Sequence, residues 1–345
     1  MHWGHTIQRL FAKYKRTLNS KLVKSFIAGK LASEGILKEE GLFRIVEDCI
    51  IHPQFGVVTI HDRFLLTHLL PQNYKNRYGH LNAVELPVIR SKKHQAEKEK
   101  QQCFIWGNKW SQGYYHFVAE DLPKLVCAKQ QGFEIYTWQG LSSKWQQELL
   151  QLFNIEQTYI VQPTAVRQLY FITTNRVFES ANRFSIPNPA LMQGLQIGLQ
   201  ELVSSNRFKD LPTDQCIWIS RKHTRNRHIE NEAECIQLLT KEGYKVQVMY
   251  PEKISVAEQI KLVYHSRCLI GPHGAGLTNL AFSQQASLIE IGPAGKVNNS
   301  YISLAISLKR SYCHLDAAPV NKWLGSRSNF RLDPVKLLQQ LARVF

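Results

Sequence analysis

Three short segments carry the residue types that do chemistry. The first is Gly271-Pro-His-Gly-Ala-Gly276, continued by Leu277, Thr278 and Asn279. It follows an apolar, strand-like run and opens a helix-like one. Such a turn aims backbone N–H groups outward, and the dipoles of the helix start add positive potential. With Gly274, Ala275 and Gly276 a phosphate can approach the backbone closely, and His273 is placed to donate a hydrogen bond to the same anion. The plain alternative is a tight strand-to-helix turn that needs small residues. The spacing is neither GxGxxG nor GxxxxGK(S/T), so neither a dinucleotide fingerprint nor a nucleoside-triphosphate loop is supported.

The second segment is Ser220-Arg-Lys-His-Thr-Arg-Asn-Arg227, directly after the strand-like run that ends near Ile219. In an open parallel sheet, ligands bind beyond the carboxyl ends of the strands. Both segments follow strands, so both can reach one sheet edge. Arg221, Arg225 and Arg227 are therefore candidates to clamp a diphosphate in bidentate fashion; a solvated basic loop is the competing reading. The third segment is Gly113-Tyr-Tyr-His-Phe-Val-Ala-Glu-Asp-Leu-Pro123. On a helix His116 and Glu120 stand four apart and share a face. A histidine beside a carboxylate is a usable general base. Asp121 is also a candidate, although one step along the helix turns it away from that face. Glu290 is an acid in an otherwise apolar strand-like run, Ser287–Ile291, and could accept hydrogen bonds from ribose hydroxyls. No HExxH, Cys/His metal cluster, Asp-x-Asp or GxSxG is present, so no metal and no cofactor is expected and an esterase loop is not supported.

These segments need elements to hold them. Strand-like runs at Gln215–Ser220, Tyr244–Tyr250, Cys268–Gly271, Ser287–Ile291 and Ser311–Leu315 alternate with helical patterns at Asn231–Glu242, Val256–His265, Leu277–Phe282, Ser300–Leu308 and Asp333–Val344. That alternation means βαβ units and a parallel sheet. The N-terminal half reads as mixed α/β, with strands at Cys103–Trp106 and Phe133–Trp138 and helices at Tyr114–Gln130 and Ser143–Phe153. The chain has 345 residues, more than one hydrophobic core usually spans, which predicts two domains. The boundaries expected are a basic amphipathic helix over 1–33, an N-terminal α/β domain over 34–205 and a C-terminal Rossmann-like domain over 206–345, whose last helix is allowed to pack back on the N-terminal domain.

The 43 Lys+Arg against 27 Asp+Glu give a net charge of +16. The excess is shared between 1–205 and 206–345 instead of forming a nucleic-acid-binding tail, and points to anionic ligands or an anionic surface. Residues 1–33 hold seven basic side chains and no acid. They pack on the N-terminal domain or lie peripherally on an anionic bilayer. The 7 cysteines form no CxxC, which fits a reducing compartment. With no apolar run long enough to cross a membrane and no leader-like start, a cytoplasmic location is expected.

Together, the segments resemble glycosyltransferase family 61, a group that includes bacterial capsular polysaccharide biosynthesis proteins. The resemblance rests on Gly113-Tyr-Tyr-His-Phe-Val-Ala-Glu-Asp-Leu-Pro-Lys124, Ile219-Ser-Arg-Lys-His-Thr-Arg-Asn-Arg227 with Asn231-Glu232, Glu258-Gln259-Ile260, Gly271-Pro-His-Gly-Ala-Gly-Leu-Thr-Asn279 and Ser287-Leu-Ile-Glu-Ile291. It covers residues 103–310; Lys124 stands where the family usually has Arg. The resemblance implies a GT-B-like α/β fold, two Rossmann-like domains with parallel sheets facing a cleft. It also implies a nucleotide-sugar donor held by the C-terminal domain, a glycan or lipid-linked hydroxyl acceptor, and inverting transfer of a hexose or pentose. Glu120, His116 and Asp121 are then the catalytic candidates, with Glu120 or His116, or the pair together, as the base and Glu120 the favoured one. Arg221, Arg225, Arg227, His273, Gly274, Ala275, Gly276, Thr278, Asn279 and Glu290 are the donor-binding ones. A non-enzymatic binder of polyanions or nucleic acid, and an inactive scaffold relative, stay open as alternatives; no nucleic-acid motif supports the former.

Overall fold

A computed structural model describes residues 37–52, 57–60, 63–65, 100–107, 109–137, 140–162, 164–172, 176–179, 184–205, 208–295 and 298–344. The basic segment 1–33 lies outside the described residues. The fold class is α/β. The chain divides into two compact units: the described parts of Met1–Ser111, Ala128–Gly140 and Glu156–Asn175 form one, and those of Gln112–Cys127, Leu141–Ile155 and Arg176–Phe345 the other.

The first unit is built on a mixed sheet. Its strands are β1 (Leu37–Glu40), β2 (Phe43–His52), β3 (Val57–Ile60), β4 (Arg63–Leu65), β5 (Lys100–Trp106), β6 (Glu134–Thr137), β7 (Thr158–Tyr159) and β8 (Thr164–Phe171). The order β4-β3-β2-β8-β5-β6-β7, with β1 on β2, places a parallel set (β8, β5, β6, β7) beside an antiparallel one. The antiparallel part follows from short connections: only Gly41 and Leu42 separate β1 from β2, with Gly41 in the left-handed region at φ 57°, and so tight a link permits only a hairpin. One sheet face buries Val46, Ile51, Cys103, Ile105, Val166 and Leu169. Phe43 packs its ring against those of Phe104, Phe133 and Tyr170.

The second unit holds the hairpin β9 (Arg176–Glu179) and β10 (Phe184–Pro187) and a six-stranded sheet. Its strands are β11 (Cys216–Ile219), β12 (Val246–Met249), β13 (Cys268–Pro272), β14 (Ser287–Pro293), β15 (Tyr312–Pro319) and β16 (Phe330–Arg331). The order is β12-β11-β13-β14-β15-β16, parallel except for β16. This is a doubly wound order in which the winding direction reverses between β11 and β13. All four residues of β11 are buried, as expected for a strand covered on both faces. The helices of this unit are α1, which runs as Tyr114–His116, a π-helical turn Phe117–Asp121 and Leu122–Gln130; α2 (Lys144–Leu152); α3 (Pro189–Ser204); α4 (Glu232–Lys241); α5 (Val256–Val263); α6 (Asn299–Ser307); and α7 (Pro334–Val344). Residues 128–130, the end of α1, belong to the first unit.

The caps explain several of these boundaries. Asn188 accepts from the Ala190 N–H with Pro189 opening α3, Ser255 and Glu258 form a capping box on α5, and Asn298 caps α6. α7 belongs to the second unit. Its apolar stripe buries Leu337 and Leu341 in the same core as Trp218, Leu239, Ile270, Ile289 and Leu315. α3 belongs to the second unit, so the units do not part at 205/206. Leu191, Leu195 and Leu199 are buried there, and Gln196 Nε2 donates to the Ala281 carbonyl at 2.6 Å. Residues Ala275–Phe282 form a 3-10 helix where an α-helix is expected. Among the described residues, no helix is long and apolar enough to cross a membrane.

Two glycines set how closely β13 and the turn after it approach β11. A Cβ on Gly271 would stand 2.8 Å from the Ile219 carbonyl oxygen, and one on Gly276 would stand 2.8 Å from Ile219 Cγ2. The obstacle at Gly271 is backbone, so it cannot rotate away. Gly271→Ala should cost about 1–3 kcal/mol through overpacking, read as a lower urea midpoint. Gly140→Ala, which meets nothing within 4 Å, should change the midpoint little.

Candidate functional site

The carboxyl ends of β11 and β13 mark the switch point of the second unit's sheet, and both chemical loops leave from there. Glu232, the first residue of α4, fixes the start of the arginine loop. Its carboxylate accepts from Trp218 Nε1 and from Ser220 Oγ, each at 2.9 Å, and Ser220 Oγ accepts from the Lys222 N–H at 3.2 Å. Arg221 then donates from Nε to the Asn226 carbonyl at 3.2 Å. Its guanidinium lies over Gly274, where a Cβ would fall 2.2 Å from Nη1. Gly274 is therefore kept bare by a guanidinium that occupies the side-chain position. Arg227 reaches the same turn, donating from Nη1 to the His273 carbonyl at 3.0 Å.

Below this layer His273 is held by Glu290. Nδ1 of His273 lies 2.5 Å from one Glu290 oxygen, and the other accepts from the Tyr312 hydroxyl at 2.7 Å. Tyr301 donates to the Gly274 carbonyl at 2.6 Å and sets its ring 5.1 Å from the His273 ring. Among the described residues neither Arg221 nor Arg227 forms an ion pair with a carboxylate. Burial, and then the charge of Arg227, push the Arg221 guanidinium below its ordinary pKa. Two like charges thus share one partly buried edge, and an anion would relieve both.

A second cluster forms around the first turns of α1. His116 Nδ1 lies 3.1 Å from one Glu120 oxygen, and Arg176 Nη1 donates to the other at 3.0 Å. The Glu120 side chain is 7% exposed and that of His116 39%. Burial pushes the Glu120 carboxyl up, but the hydrogen bond and charge of His116, together with Arg176, hold it below the usual carboxylate range. Arg176 comes from β9 and also donates to Tyr115 Oη and Ser303 Oγ, each at 3.3 Å, and to the Ser185 carbonyl. The clusters are joined by rings: Tyr115 packs edge-on against His116 at 5.5 Å and against Tyr301 at 5.8 Å, and Tyr301 in turn meets His273. Tyr115 also donates to the Ser300 carbonyl at 2.9 Å.

The expected site residues thus separate by what they touch. Arg221, Arg227, His273, Gly274, Ala275 and Gly276 meet at the switch point; Arg225 is exposed at the tip of its loop. Thr278 and Asn279 are fully buried. Asn279 accepts from Tyr114 Oη at 2.9 Å and donates to Gln259 Oε1 and the Gly276 carbonyl, so it braces the turn instead of facing a ligand. Glu290, expected to meet ribose hydroxyls, is 1% exposed and orients His273. Asp121, expected among the catalytic residues, is fully buried and paired with Lys124 Nζ at 2.6 Å, because its helix position points it inward. Arg176 and Tyr301 are parts of the site that sequence reasoning missed, and Glu232 entered only as part of the resemblance, with no role assigned. Arg176 lies 56 residues from Glu120, with no motif around it. Glu232 alone had a visible signal, as an acid opening a helix just past the arginine loop.

The family model described as Glycosyltransferase 61 matches residues 114–289, just over half of the chain. A comparison with curated proteins finds no match. Among solved structures, the chain is similar to E. coli heptosyltransferase WaaC with ADP (10% identity, TM-score 0.34, 80% of this chain and 83% of that chain covered). It is also similar to the same enzyme with ADP-2-deoxy-2-fluoro heptose (12% identity, TM-score 0.29, 79% and 82% covered).

The Glu120 cluster has a stability consequence. A carboxyl held below its unfolded pKa stabilises the fold fully above that unfolded value and loses the contribution as pH falls through the folded one. Arg176→Ala should therefore cost about 3 kcal/mol near neutral pH, the low end for breaking a buried pair since Arg176 keeps part of its surface in water. The gap to the parent chain should narrow as the pH drops below the ordinary carboxylate range. Urea unfolding across a pH series reads both.

Proposed function

From the premise that the chain belongs to glycosyltransferase family 61, we propose that it transfers a sugar from a nucleotide diphosphate donor to a hydroxyl of a glycan or lipid-linked acceptor, with inversion at the anomeric carbon and without a metal ion. The observation that carries this reading is the pair of guanidinium groups, Arg221 and Arg227, meeting His273 and the Gly274–Gly276 turn at the sheet switch point. Departure of the nucleoside diphosphate builds negative charge on its phosphate oxygens. Fixed donors and charges aimed at that place stabilise it more in the transition state than in the ground state. Arg221 and Arg227 supply that charge, and the turn's amides supply donors.

The attacking hydroxyl must lose a proton as the new bond forms. His116 is the proposed base, in preference to Glu120. Glu120 is buried and held in its ionised form by His116 and, after it, by Arg176, which makes it a weak proton acceptor and a good orienting group. With Nδ1–H donating to Glu120, Nε2 is the imidazole's acceptor atom. The hydroxyl oxygen attacks the anomeric carbon on the face opposite the diphosphate, its proton passes to His116 Nε2, and the carbon–oxygen bond to the diphosphate breaks with its electron pair leaving on phosphate. The basic surface fits anionic substrates, and a role in surface polysaccharide synthesis from the cytoplasmic side is the setting we favour.

Arg221→Ala should weaken nucleoside diphosphate binding by about 10- to 100-fold, the loss of charge-assisted hydrogen bonds; unchanged affinity in calorimetry would remove Arg221 from the cradle. His116→Ala should lower the transfer rate by about 10²–10⁴ with donor affinity nearly intact, measured by product formation and calorimetry on the same preparation. EDTA should leave the rate unchanged; inhibition reversed by manganese would contradict the metal-free scheme.

A further inference from the structure

A nucleotide donor has two ends to be held, and the cradle accounts for the diphosphate. On the β14 side of the cradle, Glu290 is already committed to His273 and Tyr312, and the Tyr301 ring is buried. The β12 side is different. β12 is the parallel neighbour of β11, about 4.8 Å away, and its chain continues past Met249 through Tyr250, Pro251 and Glu252. His223, from the arginine loop, sets its ring against Tyr250 with centroids 4.9 Å apart and planes at 54°. Lys253 Nζ lies 5.9 Å from the Tyr250 centroid. Tyr250 is half-buried and outside the buried core, and His223 is exposed. Glu252 is exposed too, yet near enough for its charge to act on Arg221. An exposed ring braced by a second one, beside a phosphate-binding edge, is a surface on which a flat base can stack. An acid just past the second strand of a doubly wound sheet is where ribose hydroxyls find an acceptor.

We propose that His223 and Tyr250 form the nucleobase platform of the donor site, with the base stacked on His223 and the ribose hydroxyls donating to Glu252. This rests on the reading of Arg221 and Arg227 as the diphosphate cradle. Stacking tolerates any base, so the platform distinguishes a nucleoside diphosphate from a bare diphosphate and does not select one base over another.

Calorimetry on the full chain with inorganic pyrophosphate, with ADP, GDP, CDP and UDP, and with the 2′,3′-dideoxy form of the tightest of these tests the proposal. The parent chain should bind at least one nucleoside diphosphate more tightly than pyrophosphate. His223→Ala and Tyr250→Ala should each weaken that nucleotide about 5- to 30-fold while pyrophosphate stays within about twofold; His223→Phe should keep the nucleotide affinity. Glu252→Gln should narrow the preference for ribose over dideoxyribose. Nucleotide affinity that is unchanged in the alanine variants, or that falls together with pyrophosphate, overturns the platform and leaves the cradle standing. A preference for ribose that Glu252→Gln leaves intact overturns the assignment of Glu252. A parent chain that binds neither pyrophosphate nor any nucleotide removes cradle and platform together.

Discussion

Arg221 and Arg227 bring two positive charges to one sheet edge, and the architecture around them is arranged to keep them there. Arg221 occupies the volume a side chain on Gly274 would need. Arg227 is tied to the carbonyl of His273. Charges of one sign do not gather in a half-buried place for stability; their repulsion and desolvation count against the fold. The cost is offset when an anion with several oxygens binds, and a diphosphate has the right charge and the right number of acceptors. The remaining features of the second unit follow from holding that edge. Glu232 anchors the arginine loop, Glu290 and Tyr312 hold His273, and Tyr301 fixes the Gly274 carbonyl.

The ring series His116–Tyr115–Tyr301–His273 gives the second unit a fixed relation between the His116–Glu120 cluster and the arginine-lined edge. Arg176 braces its far end by donating to Glu120 and by meeting both Tyr115 and Ser303. One buried carboxylate, Glu120, orients His116; another, Glu290, orients His273. In both cases a histidine is aimed by an acid that is itself nearly hidden from water, which fixes ring orientation at little entropic cost.

Much of the second unit was legible from hydrophobic patterning. The five parallel strands β11 to β15 were visible as short apolar runs, because strands buried on both faces need nearly continuous apolar sequence. That both motifs reach one sheet edge followed from each standing directly after a strand-like run. The roles within the motifs were less legible. Asn279 and Glu290 sit at spacings that suit a ligand site, yet their polar groups are consumed by neighbours distant in sequence, such as Tyr114 and Tyr312. Spacing along a chain cannot reveal that. The same limit hid Arg176, whose partners Glu120, Tyr115 and Ser303 are 56, 61 and 127 residues away. The allegiance of α3 was also hidden, since an amphipathic helix shows which face is buried but not which unit buries it. In the first unit, the hairpin β1–β2 lacks any strong turn pair beyond Gly41, so its antiparallel pairing is not legible in the sequence.

The claim at the centre is positional: a nucleoside diphosphate binds with its phosphates at the carboxyl ends of β11 and β13. A crystal structure of the chain with a nucleoside diphosphate tests it most directly. The account predicts phosphate oxygens within hydrogen-bond distance of Arg221, Arg227 and the amides of residues 274–276. Ordered nucleotide elsewhere on the chain, with Arg221 still lying over an unoccupied Gly274, would contradict it.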